Sequence, residues 1–334
     1  WNPSSCGSFS KSKRPKPDAQ AYGFYNLQYL THNMNLKTKI EYSINLIRKA
    51  EKLALQYDSE NGFYLAFSGG KDSQVIYELA KMAGVKFQAH MNLTSVDPPQ
   101  VLRFIRTNYP DVILHRPKES IYKLIPKKKS LPTRVIRWCC DVLKEQSGAG
   151  TVTILGIRKA ESVRRAKRNE IETGKKNFSG TLDQFEVHKE THISCIKGKD
   201  KILLSPILEW SERDVWNFLK MRNLPHCELY DMGYTRIGCI MCPMSSRKNI
   251  ARDRKLFPNV EKAYKKAIKN LLQIKPDYGS KLNDDVDLIF EWWASRMKQD
   301  EFVALNLQQQ NLHRPDREGC EDAGRRRTER GLCS

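Results

Sequence analysis

The sequence has no run approaching the roughly 18 apolar residues that a membrane-spanning helix needs, which excludes a helical membrane protein. No positively charged opening followed by an apolar stretch marks it as a secretory precursor, so a cytoplasmic location is expected. No methionine precedes Trp1, as in a fragment or a processed form. No internal repeat is visible, so a repeat architecture is not expected. Acidic residues are scarce beside basic ones, 38 against 58, leaving a formal net charge of +20.

Such a charge points to a polyanionic partner, either nucleic acid or a highly phosphorylated small substrate. Part of it sits in terminal basic runs, at Lys11 to Lys16 and Arg325 to Arg330. At 334 residues, 40% hydrophobic and 29% charged, the chain can bury a full core as one large domain or two modest ones. Nine cysteines in a chain of this kind read as metal or catalytic chemistry before disulfides. Two are adjacent, Cys139 and Cys140, and two form a C-x-x-C pair, Cys239 and Cys242.

Residues 1–20, rich in Ser, Lys and Pro, are expected to be disordered, and a helix with Ile40, Ile44, Ile47 and Leu53 on one face follows. The run Phe63 to Phe67 reads as a buried strand, and a helix begins at Ser73 after a glycine-rich loop. Strands at 86–91, 111–115, 151–156 and 201–204 then alternate with helices at 98–107, 141–145 and 211–221. That rhythm predicts an α/β fold, a doubly wound parallel sheet with helices on both faces and binding sites at the carboxyl ends of strands. Residues 158–200 are polar and basic and are read as a mobile insertion facing the substrate. Helices at 259–273 and 283–298 form a C-terminal helical extension over 246–312, and 313–334 is read as a disordered, Arg-rich tail.

The loop Ser68-Gly69-Gly70-Lys71-Asp72-Ser73 carries the strongest chemistry. Two glycines reach backbone angles that other residues resist, and the helix that follows offers unpaired N–H groups and a positive dipole end to an anion. Ser68 and Ser73 supply hydroxyls, Lys71 a compact charge, and Asp72 a carboxylate able to orient Mg²⁺. The Walker A spacing is absent.

Leu65 to Ser73 resembles the PP-loop of the adenine-nucleotide alpha-hydrolase superfamily. Further motifs resemble the phosphoadenosine phosphosulfate (PAPS) reductase family in its order: Trp138-Cys139-Cys140 with Leu143-Lys144, then Gly156-Ile157-Arg158 with Glu161-Ser162 and Arg165. Ser205-Pro206-Ile207 with Trp210 and Asp214-Val215-Trp216, Leu224-Pro225, Leu229-Tyr230, and Gly233-Tyr234 leading to Gly238-Cys239 and Cys242-Pro243 complete the set over 60–245. The PAPS reductase-like domain is therefore placed at 21–245. The resemblance implies an adenine nucleotide, ATP or a sulfonucleotide such as PAPS or adenylyl sulfate, held with Mg²⁺. Lys71, Asp72 and Arg158 take catalytic roles, and Arg158, Arg165 and Lys144 contact phosphate or sulfate groups. Arg164, Lys167 and Arg168 read as a solvated charge run.

C-x-x-C alone suits zinc or a redox dithiol as well as iron. Adjacent cysteines reach a single tetrahedral ion awkwardly, whereas a cubane offers separate iron corners, and four thiolates are the usual 4Fe–4S ligand set. The pattern resembles the cluster motif of adenylyl sulfate reductases, so Cys139, Cys140, Cys239 and Cys242 are assigned a 4Fe–4S cluster, with structural zinc as the alternative. His188, His192 and Cys195 are read as spacing without a metal, and Cys227 as a buried residue.

Reductases of the family carry a nucleophilic cysteine in a Glu-Cys-Gly-x-His context, and this chain lacks it; Cys320 and Cys333 have other neighbours. The leading expectation is an ATP pyrophosphatase that activates an acceptor, nucleic acid among the candidates, for sulfur insertion. Its partners would include a sulfur-donor or thiol-reductant protein. A thiol-dependent sulfonucleotide reductase and a non-catalytic nucleic-acid-binding regulator are the alternatives. Oligomeric state is not legible.

Overall fold

Asn35 opens the first helix by accepting a hydrogen bond from the Thr38 amide at 3.0 Å, a cap that contributes about 1 kcal/mol. The helix, α1 (Leu36–Tyr57), buries Ile40, Leu46, Ile47, Ala50 and Leu53 on one face, the stripe its spacing predicts. The computed structural model describes residues 35–173, 178–191 and 200–312. The expected terminal tails, His192, Cys195, Cys320, Cys333 and the side chain of His188 lie outside the described residues.

Seven strands follow in one sheet: β1 (Phe63–Ala66), β2 (Phe87–Asn92), β3 (Ile113–His115), β4 (Val152–Ile154), β5 (Ile171–Thr173), β6 (Ser179–Gly180) and β7 (Ile202–Leu204). Their order is β3-β2-β1-β4-β7-β5-β6. β1 pairs in parallel with β2 and β4, and β4 with β7, as the alternating pattern predicts. The sheet is mixed, because β5 runs antiparallel to β7 and β6 antiparallel to β5. The polar segment expected to be a mobile insertion thus contributes two strands, with Ile171 fully buried against β7.

Helices α2 (Lys71–Ala83), α3 (Pro99–Asn108), α4 (Ile121–Lys127), α5 (Trp138–Cys140), α6 (Val163–Ala166), α7 (Leu182–Thr191) and α8 (Glu212–Met221) come next. The C-terminal part adds α9 (Arg247–Leu256), α10 (Pro258–Ile274), α11 (Val286–Ser295) and α12 (Gln299–Leu312). α5 continues as a π-helix over Asp141–Glu145. None of the described helices is long and apolar enough to cross a membrane.

The chain resolves into two compact units. One comprises residues up to Met91 with Asn108–Ile113 and Gly148–His226; the other comprises Asn92–Thr107, Leu114–Ser147 and residues from Cys227 onward. In the first, α1 and α2 cover β1, and β1 to β2 departs to one side of the sheet while β4 lies on the other. That reversal of strand order opens a crevice at the carboxyl ends of β1 and β4. In the second unit, α4 packs on α10 and α10 on α11, with Ile125, Tyr264, Ile268 and Phe290 fully buried. Trp293 anchors that core to the preceding loop, its indole N–H donating to the Pro132 carbonyl at 2.6 Å.

Candidate nucleotide site and cysteine centre

β1 delivers the chain into the crevice, where Gly69 adopts a φ of +69°, an angle costly for any residue with a Cβ. Gly70 is the N-cap of α2 and provides no side-chain cap, so amides of the first turn are left for an incoming anion. The Ser73 hydroxyl donates to the Gly70 carbonyl at 2.7 Å, and Ser68 Oγ lies 3.3 Å from Ser73 Oγ. β4 ends beside this turn. A Cβ on Gly156 would stand 2.9 Å from the Asp72 carbonyl oxygen, so only glycine lets the two backbones approach this closely.

Four charges meet here. Lys71 and Arg158 are each 2% exposed. Arg158 Nε donates to Asp72 Oδ1 at 2.6 Å and its terminal nitrogen to Glu212 Oε2 at 2.8 Å. Lys71 Nζ lies 3.3 Å from Glu212 Oε1 and 3.6 Å from Asp72 Oδ2. Desolvation opposes ionisation of Glu212, yet Lys71 and Arg158 hold its carboxyl below the usual glutamate range. Desolvation likewise opposes the charge of Arg158, and the Asp72 and Glu212 carboxylates together more than offset it. The two cations are buried, whereas the Glu212 side chain is 54% exposed. Glu212 is thus the solvent-facing member of the four.

Sequence reading missed Glu212. Its signal was an acid at the first helical position after Ser211, whose hydroxyl accepts from the Asp214 amide at 3.1 Å. Arg165 pairs with Glu161, which also accepts from the Arg158 amide at 3.1 Å, so it braces the segment that carries Arg158.

The second unit holds the cysteines. Cys139 and Cys140 lie on α5, and Cys239 and Cys242 on the loop before α9. Asp253, 4% exposed, clamps that loop: it accepts from the Tyr234 hydroxyl at 2.6 Å and from the Met241 amide at 2.8 Å. Met241 takes a φ of +54°, and the Ile240 amide donates to Val96 O at 2.8 Å. A terminal nitrogen of Arg137 lies 3.1 Å from Cys140 Sγ, and Cys239 Sγ lies 3.4 Å from Thr94 Oγ1. A hydrogen bond from Cys139, aided by Arg137, pulls the Cys140 thiol down to about 5 and pushes Cys139 up. The neighbouring Cys239, with Asp97, raises Lys144 above the usual lysine range. Cys227 is buried, as expected.

Among the described residues, no three His, Cys, Asp or Glu side chains converge tightly enough to hold one metal ion. Four thiols share one electrostatic neighbourhood with two cations. That donor chemistry suits an anionic thiolate-bound cluster.

A family model, the phosphoadenosine phosphosulfate reductase domain, matches residues 62–245. The chain is 28% identical to an uncharacterised protein of Methanocaldococcus jannaschii over 59% of its own length and 39% of the relative's. It is 28% identical to a probable FAD synthase of Schizosaccharomyces pombe, covering 52% of this chain and 57% of that one. A phosphoadenosine 5'-phosphosulfate reductase of Xanthomonas axonopodis pv. citri is also 28% identical, over 55% of this chain and 72% of the relative. The chain thus spans well under two thirds of the first two of these relatives.

Proposed function

As the chain belongs to the phosphoadenosine phosphosulfate reductase domain family, we propose that it is an ATP pyrophosphatase that activates an acceptor for sulfur insertion. An acceptor oxygen attacks the α-phosphorus of ATP, the bond from that phosphorus to the pyrophosphate oxygen breaks, and the acceptor is left adenylylated. Sulfur at the hydrosulfide level then displaces AMP, so no oxidant or reductant is consumed.

The observation that carries this reading is the pair of buried cations at the amino end of α2. Fixed charges aimed at the leaving pyrophosphate stabilise the charge that builds there in the transition state. Lys71 and Arg158 would take its oxygens, Ser68, Gly69, Gly70 and Ser73 would line the phosphates, and Asp72 with Glu212 would face the Mg²⁺ that arrives with ATP. The four cysteines would hold a 4Fe–4S cluster, which when bound would supply a polarising, anionic centre for handling sulfur, with all four irons thiolate-ligated; Arg137 and Lys144 would balance its negative charge. A polynucleotide acceptor is supported by the net charge of +20.

A second reading, thiol-dependent reduction of a sulfonucleotide, is favoured by the similarity to the Xanthomonas reductase. Turnover by anaerobically purified, cluster-loaded protein separates the two. AMP and pyrophosphate from ATP support the first; sulfite from PAPS with a thiol reductant replaces it with the second.

A further inference from the structure

Three guanidinium groups of the second unit gather at the carboxyl end of α11. Arg134 sits in a tight turn, closed by the Ile136 amide donating to Thr133 Oγ1 and the Thr133 amide to the Ile136 carbonyl, each at 3.0 Å. Arg247 opens α9, and its Nε donates to the Ser295 carbonyl at 3.1 Å. Arg296 follows Ser295 directly with a φ of +66°. The bond from Trp293 to Pro132 holds the Arg134 turn against this end of α11.

The carbonyl end of a helix attracts cations, which accounts for the bond from Arg247. It does not account for three. Burial, Arg134 and Arg247 together push Arg296 below the usual arginine range, with no carboxylate acting in the opposite sense. Among the described residues, a buried donor of this group also lacks an acceptor, Arg296 Nε. An unsatisfied buried donor costs about 1–3 kcal/mol. Mutually repelling cations beside an orphaned donor describe a site completed by an anion with several acceptor oxygens.

We propose that Arg134, Arg247 and Arg296 bind backbone phosphates of a polynucleotide, the acceptor in the reading above, on which this assignment rests. A free phosphate would satisfy the arginines equally. A polynucleotide also covers the apolar tip of the turn, where Val135 is 91% and Ile136 59% exposed, and it answers the charge of +20. Two of the three segments that carry the patch border the cysteines in sequence, Arg134 five residues before Cys139 and Arg247 five after Cys242.

The test is anisotropy of a labelled single-stranded oligonucleotide of about 20 nucleotides, titrated with the full chain between about 50 and 200 mM salt, without ATP. Replacing Arg134, Arg247 and Arg296 by Gln is expected to weaken binding at least about tenfold and to flatten the log–log salt slope by about 2, near 0.7 per lost phosphate contact. Thermal melting reports folding of the variant. Should Arg296→Gln unfold it, the exposed pair Arg134→Gln and Arg247→Gln is expected to flatten the slope by about 1.4. A salt slope unchanged in a folded variant overturns the assignment. So does saturable binding of inorganic phosphate by a protein that does not bind the oligonucleotide. Oligonucleotide binding that depends on the arginines, in a protein that releases no pyrophosphate from ATP, supports the patch while sinking the proposed activity.

Discussion

Gly156→Ala tests the nucleotide site through backbone geometry alone. The new Cβ would stand 2.9 Å from the Asp72 carbonyl oxygen, 3.0 Å from its carbonyl carbon and 3.3 Å from the Ser73 amide nitrogen. All three are backbone atoms in the first turn of α2, so no flexible side chain can move aside. Ordinary contact begins near 3.4 Å, so β4 and α2 must part by roughly half an ångström, and overpacking of that kind costs about 1–3 kcal/mol. The displaced atoms include the first-turn amides proposed to receive the phosphates. A loss of about 1.4 kcal/mol in binding is a tenfold rise in Kd. Calorimetric titration with a non-hydrolysable ATP analogue and a thermal melt are expected to show about a tenfold weaker complex and a lower Tm. Gly238→Ala, where nothing lies within 4 Å of the added carbon, is the matched control and is expected to leave both unchanged. Binding within twofold of the wild type in a Gly156→Ala protein of unaltered Tm would refute the argument.

Glu212→Gln removes the carboxylate that Lys71 and Arg158 share, and pyrophosphate without Mg²⁺ is expected to bind several-fold more tightly, measured by the same titration. Arg158→Met leaves Asp72 beside Lys71 alone; loss of one partner of a buried pair costs about 3–5 kcal/mol, so both Tm and ATP affinity should fall. Desolvation by burial, with Asp183 and Glu209 nearby, raises Glu170 from 4.5 to about 7. The folded protein then keeps a proton that the unfolded chain sheds, so stability declines as pH rises from about 4.5 to about 7 and is level above. Denaturant melts across that range should show a loss of about 1–3 kcal/mol that Glu170→Gln abolishes. Cys239→Ser is expected to reduce bound iron and visible absorption after anaerobic reconstitution, whereas a full complement of iron in that variant would refute the ligand set.

The parallel sheet and the phosphate loop were legible because their determinants are local: a short apolar run, two glycines and a helix start fall within a dozen residues from Phe63 to Gln74. Boundaries shifted by a residue or two; β2, read as 86–91, is Phe87–Asn92. The segment 158–200 misled because β5 and β6 are strands of three and two residues, too short for a period, stabilised by pairing with β7 rather than by pattern. Helix α4 was missed because Pro126 interrupts its spacing, and it gains its stability by packing on α10. Glu212 escaped because its role depends on the partners that folding brings to it, Lys71 and Arg158, both distant in sequence. Lys144, grouped by resemblance with the phosphate-binding residues, lies in the second unit beside Cys239.

The second unit is assembled from pieces that the ribosome makes far apart in time. Helix α4 is complete at Lys127, yet the helix that buries Ile125, α10, begins only at Pro258, about 130 residues later. At about 5–20 residues per second, that apolar face waits on the order of ten seconds for its cover. For most of that interval, from Cys140 to Cys239, only the first two of the four cysteines have been synthesised. Cells that make this chain therefore face a period in which a bare hydrophobic helix waits on the nascent chain, and chaperone occupancy of α4 should govern the yield of folded protein.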